Sequence, residues 1–231
     1  MKHLFIFLFT TFMFSQTTKA TYQLETNFSK EQLNDEYIGN YMNAIKDVAH
    51  YVEYNLVFND STANFYLIEK NVADENYINA VNFTGGNSKR FYDKKFCYNF
   101  SSESFVTKKN EYLIKSEIND KWNITTDTLT VNGYKCYKAI SEVVVEHKGK
   151  TFKHDKIAWF CPEIPSKFGP KDSGNLPGLI LFLEESGIIF KLKSIKFNDN
   201  TKIEQPILKN IISIEDFEKK IDEKFKDGIR D

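Results

Sequence analysis

The 231-residue chain lacks the short motifs on which a catalytic assignment is built. No Gly-x-Ser-x-Gly elbow and no phosphate-binding glycine loop occurs, so a serine hydrolase or a P-loop enzyme has no starting point. Cysteine is scarce, at three residues, and neither Cys-x-x-Cys nor His-x-x-x-His spacing is present, which removes the usual zinc ligand sets. Charge of one sign is missing as well. Lys and Arg total 31 against 32 Asp and Glu, so no net field draws nucleic acid or an anionic membrane, and no nucleic-acid partner is expected. Beyond Phe14 there is no second long apolar run, no repeat and no low-complexity linker. Proline is sparse too, yet four of the five fall in one stretch, as Pro162, Pro165, Pro170 and Pro177. Proline fixes φ and narrows the unfolded ensemble, so the 162–178 loop reads as stiff.

What is present begins with an address. Lys2 and His3 precede an apolar run from Leu4 to Phe14, followed by polar and small residues ending in Thr18-Lys19-Ala20. This is the pattern of a secretory signal. The run is shorter than the roughly 20 apolar residues a membrane span needs. The expectation is a signal peptide over residues 1–20, cleaved near Ala20 with Ser15/Gln16 as the alternative. One periplasmic or secreted domain over residues 21–231 follows, not membrane-spanning once the signal is gone. With no Cys at the cleavage region, a lipoprotein anchor is not expected. The 21 Phe and 12 Tyr supply enough bulk for a substantial core.

Along the chain, Thr21 to Phe28 alternates as a first strand. Ser29-x-x-Gln32 has capping-box spacing, and Leu33, Tyr37, Ile38, Tyr41, Ile45 and Val48 continue at helical intervals, predicting a helix over about 30–49. Most of the remainder reads as strand and turn: 51–58, 64–69, 90–100, 104–107, 111–118 and 122–126. Asn71 to Asn87 reads as loose and polar. The hairpin 134–146/151–161 turns at Lys148-Gly149, and a second hairpin turns at Glu185-Ser186-Gly187. Ser213 caps a short amphipathic helix with Ile214, Phe217, Ile221 and Phe225 inward. The predicted class is α+β: a single curved antiparallel sheet of about nine to eleven strands, packed by the 30–49 helix and closed by a short C-terminal helix.

The hairpin register carries a consequence for the cysteines. In an antiparallel pair, opposite residues have numbers of constant sum, and Cys136 and Cys161 share the sum of Lys148 and Gly149. A simple two-residue turn therefore sets them opposite each other, within reach of a disulfide. A bulge at the tip shifts that register, and Cys97 competes for either partner.

Asn175-Leu176-Pro177-Gly178-Leu179-Ile180 is similar to the motif that names the GLPGLI family, exported proteins found mostly in Bacteroidetes. Trp122-Asn123-Ile124 with Gly133-Tyr134-Lys135-Cys136-Tyr137-Lys138-Ala139 resembles a second block of that family. Ala158-Trp159-Phe160 through Pro162-Glu163-Ile164-Pro165 and Phe168-Gly169-Pro170 resembles a third, and Leu56-Val57-Phe58 to Phe65 its first hairpin. The resemblance spans most of the mature chain. It implies an exported origin and a common fold, and it brings no activity, cofactor or catalytic residue with it. Asn175 departs from the family's leading Gly, which implies φ > 0 there, since Asn enters the left-handed region more readily than other non-Gly residues.

Candidate sites remain weakly marked. Leu176-Pro177-Gly178-Leu179 has the sequence of a type II turn that launches a core strand or rims a binding surface. Trp122, Tyr134, Trp159 and Phe160 line a pocket or pack the core. His147 and His154 flank a hairpin tip, and Glu163, Glu184 and Glu185 lie near the Pro-rich loop. No catalytic residue, metal ligand or cofactor is assigned. The reading that follows is a non-enzymatic envelope protein that binds an apolar ligand or an outer-membrane protein. The alternatives are a hydrolase using carboxylates near the Pro-rich loop and an accessory subunit of an outer-membrane complex.

Overall fold

The computed structural model describes residues 16–85, 89–100, 113–147 and 150–227. The expected strand 104–107, the tip Lys148-Gly149 and the apolar run 4–14 lie outside the described residues. The chain opens with β1 (Thr17–Thr26), then α1 (Lys30–Asn34), α2 (Gly39–Val48) and a 3-10 turn, Ala49–Tyr51. β2 (Glu53–Phe58) and β3 (Ala63–Leu67) form a hairpin, closed where Asn59 Oδ1 accepts from the N–H groups of Ser61 and Thr62. After α3 (Glu75–Phe83) come β4 (Lys89–Tyr92), β5 (Phe96–Phe100), β6 (Leu113–Glu117), β7 (Asn123–Val131), β8 (Tyr134–His147) and β9 (Lys150–Cys161). β10 (Leu179–Glu185), β11 (Ile188–Asp199), β12 (Ile211–Ser213) and α4 (Ile214–Asp227) complete it.

All twelve strands join one sheet in the order β12-β6-β5-β4-β3-β2-β1-β11-β10-β9-β8-β7. Every pairing is antiparallel except that of β12 with β6. The first and last thirds of the chain thus form the middle of the sheet, where β1 hydrogen-bonds both β2 and β11. β6 and β9 stand eight places apart in this order, roughly 40 Å along a flat sheet at about 4.8 Å per strand. Side chains from both nevertheless line one cleft, so the sheet curls.

Four expectations require correction. The sheet has twelve strands among the described residues, above the predicted nine to eleven. The 30–49 helix is two helices. The capping box forms as read, with Ser29 and Gln32 exchanging bonds, but the helix ends at Asn34. Asp35 Oδ1 then accepts from the N–H groups of Tyr37 and Ile38, a local turn that competes with helix continuation. Gly39 begins α2 so close to α1 that a Cβ there would stand 2.7 Å from the Leu33 carbonyl oxygen. Tyr37 is consequently 89% exposed rather than inward. Third, the polar stretch 71–87 contains α3, capped by Asp74, whose carboxylate accepts from the Tyr77 N–H. Its inward face is Tyr77, Ala80 and Val81, packed in the main core with Ile45, Ala49 and Tyr54. Fourth, the expected strand over 90–100 is the β4–β5 hairpin, turned where Asp93 Oδ1 accepts from the N–H groups of Lys95 and Phe96.

β1 begins at Thr17, four residues before the expected domain boundary. Ala20 is wholly buried, and Thr17–Ala20 pairs with β11 on one side, with β2 joining from Thr18 on the other. A cut after Ala20 would divide this central strand; a cut at Ser15/Gln16 leaves it whole. At the other end, Ser213 caps α4 as expected by accepting from the Asp216 N–H, and Ile214 and Phe217 are half-buried. The side chains of Ile221 and Phe225 lie outside the described residues. No helix among the described residues is long and apolar enough to cross a membrane.

Candidate functional site

The 162–178 loop turns inward: Ile164, Phe168 and Leu176 are buried in the main core. Polar bonds then tie the loop to the β6–β7 connection. Asn175 donates through Nδ2 to the Ile118 carbonyl at 2.5 Å, the Trp122 indole donates to the Gly174 carbonyl at 2.7 Å, and the Gly174 N–H donates to Asp120 Oδ2 at 3.1 Å. Asn175 sits at φ +63°, in the left-handed region its identity implied.

Beside this junction a cleft of about 480 Å³ opens between β5–β6 and β8–β9. Asn99, Ser116, Asp120, Ser141, Lys156 and Asp172 are among its walls. Two ion pairs stand at its floor. Lys156 meets Asp120 at 3.0 Å, with side chains only 11% and 9% exposed. Arg90 Nε meets Asp172 Oδ1 at 2.8 Å; the arginine side chain is 5% exposed and the aspartate 48%. The Cys97 thiol donates to the same Asp172 oxygen at 3.3 Å.

Burial raises the Asp172 carboxyl, but the charge of Arg90, the Cys97 bond and Lys171 hold it below the usual carboxylate range. Burial and the Asp172 charge push the Cys97 thiol well above its ordinary value, so it is not an activated nucleophile.

Unsatisfied polar atoms lie near the cleft, on one lining residue, Asn99, and on two buried behind it. The Tyr92 hydroxyl, the Asn99 amide oxygen and the Ser173 hydroxyl are buried without a hydrogen-bond partner. Tyr92 faces Cys97 across β4–β5, Asn99 follows Cys97 on the same face of β5, and Ser173 adjoins Asp172. Native interiors pair nearly all such groups, so three in one neighbourhood are unusual, and the Asn99 oxygen is the one on a residue that lines the cleft.

No family model and no curated protein matches this chain. Solved structures do. The chain is similar to PNGF-II in its P21 crystal form with a TM-score of 0.51 and 16% identity, over 89% of this chain and 33% of that one. In fold, it is similar to part of PNGF-II. The C2 form of PNGF-II aligns with a TM-score of 0.49 and 16% identity, over 89% of this chain and 32% of that one. The chain thus spans about a third of the length of PNGF-II, and at this identity the likeness is one of fold alone.

The residues singled out from the sequence fall elsewhere than the cleft. Phe160 is in the core, while Trp122, Tyr134 and Trp159 are half-buried against it. Glu163 is exposed, Glu184 accepts from Asn27 at 2.7 Å, and Glu185 pairs with His154 and Lys171 at 3.4 Å each, so the three are dispersed. His154 is a half-buried strand residue rather than a loop one; the side chain of His147 lies outside the described residues. Leu176–Leu179 is a bend and not a type II turn: Gly178 has φ +152°, far from the roughly +80° such a turn needs. A Cβ at Gly178 would stand 2.2 Å from the Cys161 carbonyl oxygen. Leu176, Leu179 and Ile180 are core residues and Pro177 is exposed, so the motif is a packing device at the neck of the loop. Arg90, Asp120 and Asp172 carry no assignment in the sequence, and Cys97 is legible there as a disulfide partner and not as a thiol beside Asp172. Their only signal in the sequence was polar residues inside otherwise apolar strands and a loop.

Proposed function

We propose that this is an exported envelope protein, a relative of the GLPGLI family in the blocks quoted above, that binds a polar ligand in the cleft between β5–β6 and β8–β9. The observation that carries the reading is the cleft's lining, where the polar side chains of Asn99, Ser116, Ser141, Asp120, Lys156 and Asp172 converge and two ion pairs stand. Binding is favoured over catalysis because the shifted groups there move away from neutrality: Asp172 goes down and Cys97 goes up. General acid–base work needs a group poised near the operating pH. The dispersal of Glu163, Glu184 and Glu185 removes support from a hydrolase built on them. A second reading, an accessory subunit, draws on Val144, Val145 and Phe152, which are exposed on the β8–β9 hairpin toward its tip.

Native mass spectrometry of the protein purified from its own envelope tests the binding reading. Tyr92→Phe deletes an unpaired hydroxyl behind the cleft wall, and the variant melts no lower than the parent, because an unsatisfied buried hydroxyl costs about 1–3 kcal/mol. A retained small molecule is expected, and weaker retention in Asn99→Ala, which removes the orphaned amide oxygen of a lining residue, ties it to the cleft. Asn99→Ala binds it roughly tenfold more weakly, the loss of about one hydrogen bond. A ligand held equally by both proteins sinks the cleft assignment.

Export has its own test. Intact-mass analysis of the exported protein is expected to find a mature chain beginning at Gln16, since β1 starts at Thr17. A chain that retains Met1 overturns the localisation, and one beginning at Thr21 overturns the role of Thr17–Ala20 in the sheet.

A further inference from the structure

The β8–β9 ladder runs without a bulge from His147↔Lys150 to Tyr137↔Phe160, the register of a two-residue turn. One further step brings Cys136 opposite Cys161, the last residue of β9. Side chains on these strands meet as the register requires. On one face the Tyr137 and Phe160 rings lie 6.2 Å apart, and on the other the Lys138 ammonium stands 5.9 Å from the Trp159 ring. Cys136 and Cys161 are next in line on the Lys138–Trp159 face. Both are wholly buried and, in this structure, both are thiols. Opposite residues of an antiparallel pair have Cα atoms about 4.5–5.5 Å apart, a span that a disulfide bridges.

We propose that Cys136 and Cys161 form a cross-strand disulfide site that staples the neck of the 162–178 loop, with Cys97 left as the single free thiol. That the bond closes in the cell rests on the exported reading above, which supplies the oxidising compartment. In the reaction, a cysteine thiolate attacks the disulfide of oxidised glutathione or of a thiol oxidoreductase, giving a mixed disulfide and releasing one thiol. The second cysteine displaces the other thiol and the Cys136–Cys161 bond closes. The two cysteines lose two protons and two electrons, and the oxidant's disulfide becomes two thiols.

The position gives the bond its consequence. The Cys161 carbonyl accepts from the Ile164 N–H at 3.2 Å, and the Ile164 carbonyl accepts from the Leu179 N–H at 2.9 Å. The Cys161 carbonyl also lies against Gly178. Both ends of the loop that carries Asp172 into the cleft therefore meet at Cys161, and anchoring Cys161 to β8 fixes them together. Cys97 is remote from this pair in the sheet, on β5, where its thiol is engaged by Asp172.

The test uses the full chain, unfolded in urea so that burial does not limit access. It is then refolded in glutathione buffers from reducing to oxidising, quenched with an alkylating agent and peptide-mapped. The expected result under oxidising conditions is one alkylated cysteine, Cys97, and a linked peptide pair containing Cys136 and Cys161. The chain should be lighter by two hydrogens and melt higher than the reduced form. Cys97→Ser should close the same bond. Three alkylated cysteines at every poise, or a link involving Cys97, overturns the proposal. Because the measurement is made on purified protein, its failure is distinct from a failure of export, which intact mass reads separately.

Discussion

Gly178→Val is expected to lower stability more than any other single change in the Asn175–Ile180 segment, by about 3 kcal/mol or more. Two independent costs fall on the same residue. The backbone at φ +152° is open to glycine and closed to a β-branched side chain, a strain of about 1–3 kcal/mol. The new Cβ would also stand 2.2 Å from the oxygen and 2.5 Å from the carbon of the Cys161 carbonyl. These are backbone atoms of β9, already paired to Leu179 of β10, so they cannot retreat as a flexible side chain would. Gly178→Ala meets the same obstacle and should lose most of the same stability. Asn175→Gly is the contrast. It relaxes a left-handed residue but deletes the bond to the Ile118 carbonyl, for a net change of about 1 kcal/mol or less. Urea midpoints of the three variants at equal slope decide the matter. Equal midpoints for Gly178→Val and Asn175→Gly would show that β9 and β10 can separate at this neck.

Asp172→Ala is expected to be almost as damaging, at about 3–5 kcal/mol, because it leaves a charged guanidinium buried with its carboxylate gone. Arg90 is the partner that cannot escape: its side chain is 5% exposed, between Asp172 and the Phe65 ring. The reverse deletion, Arg90→Met, leaves an aspartate that is half in water and can hydrate, so it should cost less. That order, aspartate loss worse than arginine loss, is the discriminating outcome, and the opposite order in denaturant titrations would count against the buried guanidinium as the source. Asp172 also gives an acid limb. Burial raises its carboxyl, but Arg90, Cys97 and Lys171 outweigh that and hold it below its ordinary value of 3.8. A carboxyl depressed in the folded state contributes its full stability above the unfolded value. The contribution is lost as pH falls from about 3.8 through the lower folded value. Asp172→Ala should flatten this part of the stability–pH profile while leaving the rest of its shape in place.

Local rules wrote much of the fold into the sequence. Ser29-x-x-Gln32 makes its capping box, Asn59 closes the β2–β3 turn, and Ser213 caps α4, because each is decided by atoms a few residues apart. Asn132-Gly133 closes the β7–β8 hairpin with both residues at positive φ, for the same reason. The β8–β9 register is legible because partners of constant sum about Lys148-Gly149 leave only one alignment, and the ladder keeps it from His147↔Lys150 to Tyr137↔Phe160. The helix over 30–49 was misread where local evidence conflicted. Its apolar spacing continues through Tyr37 and Ile38, but the Asp35 side chain and the approach of Gly39 to Leu33 end the first segment. α3 was overlooked because its inward face is only Tyr77, Ala80 and Val81, set among asparagines whose spacing carries no hydrophobic period.

The cleft belongs to the tertiary structure alone. Arg90 and Asp172 are 82 residues apart, and Asp120 and Lys156 are separated by 36. No spacing rule reaches across such distances, and each residue taken singly reads as an ordinary surface charge. They meet because the sheet curls and because the Pro-rich loop, held at its neck by Gly178 against Cys161, turns inward instead of out into solvent. The sequence by itself determined the class of fold, the caps, several turns and the β8–β9 register as far as Tyr137↔Phe160, since these rest on short-range sterics and hydrogen bonds. Only the packed structure decided that β1 begins at Thr17, that the 162–178 loop buries Ile164, Phe168 and Leu176 in the core, and that a buried ion pair and a half-exposed one stand at a polar cleft. Those outcomes depend on which distant surfaces exclude water together, a property of the whole sheet that no window along the chain contains.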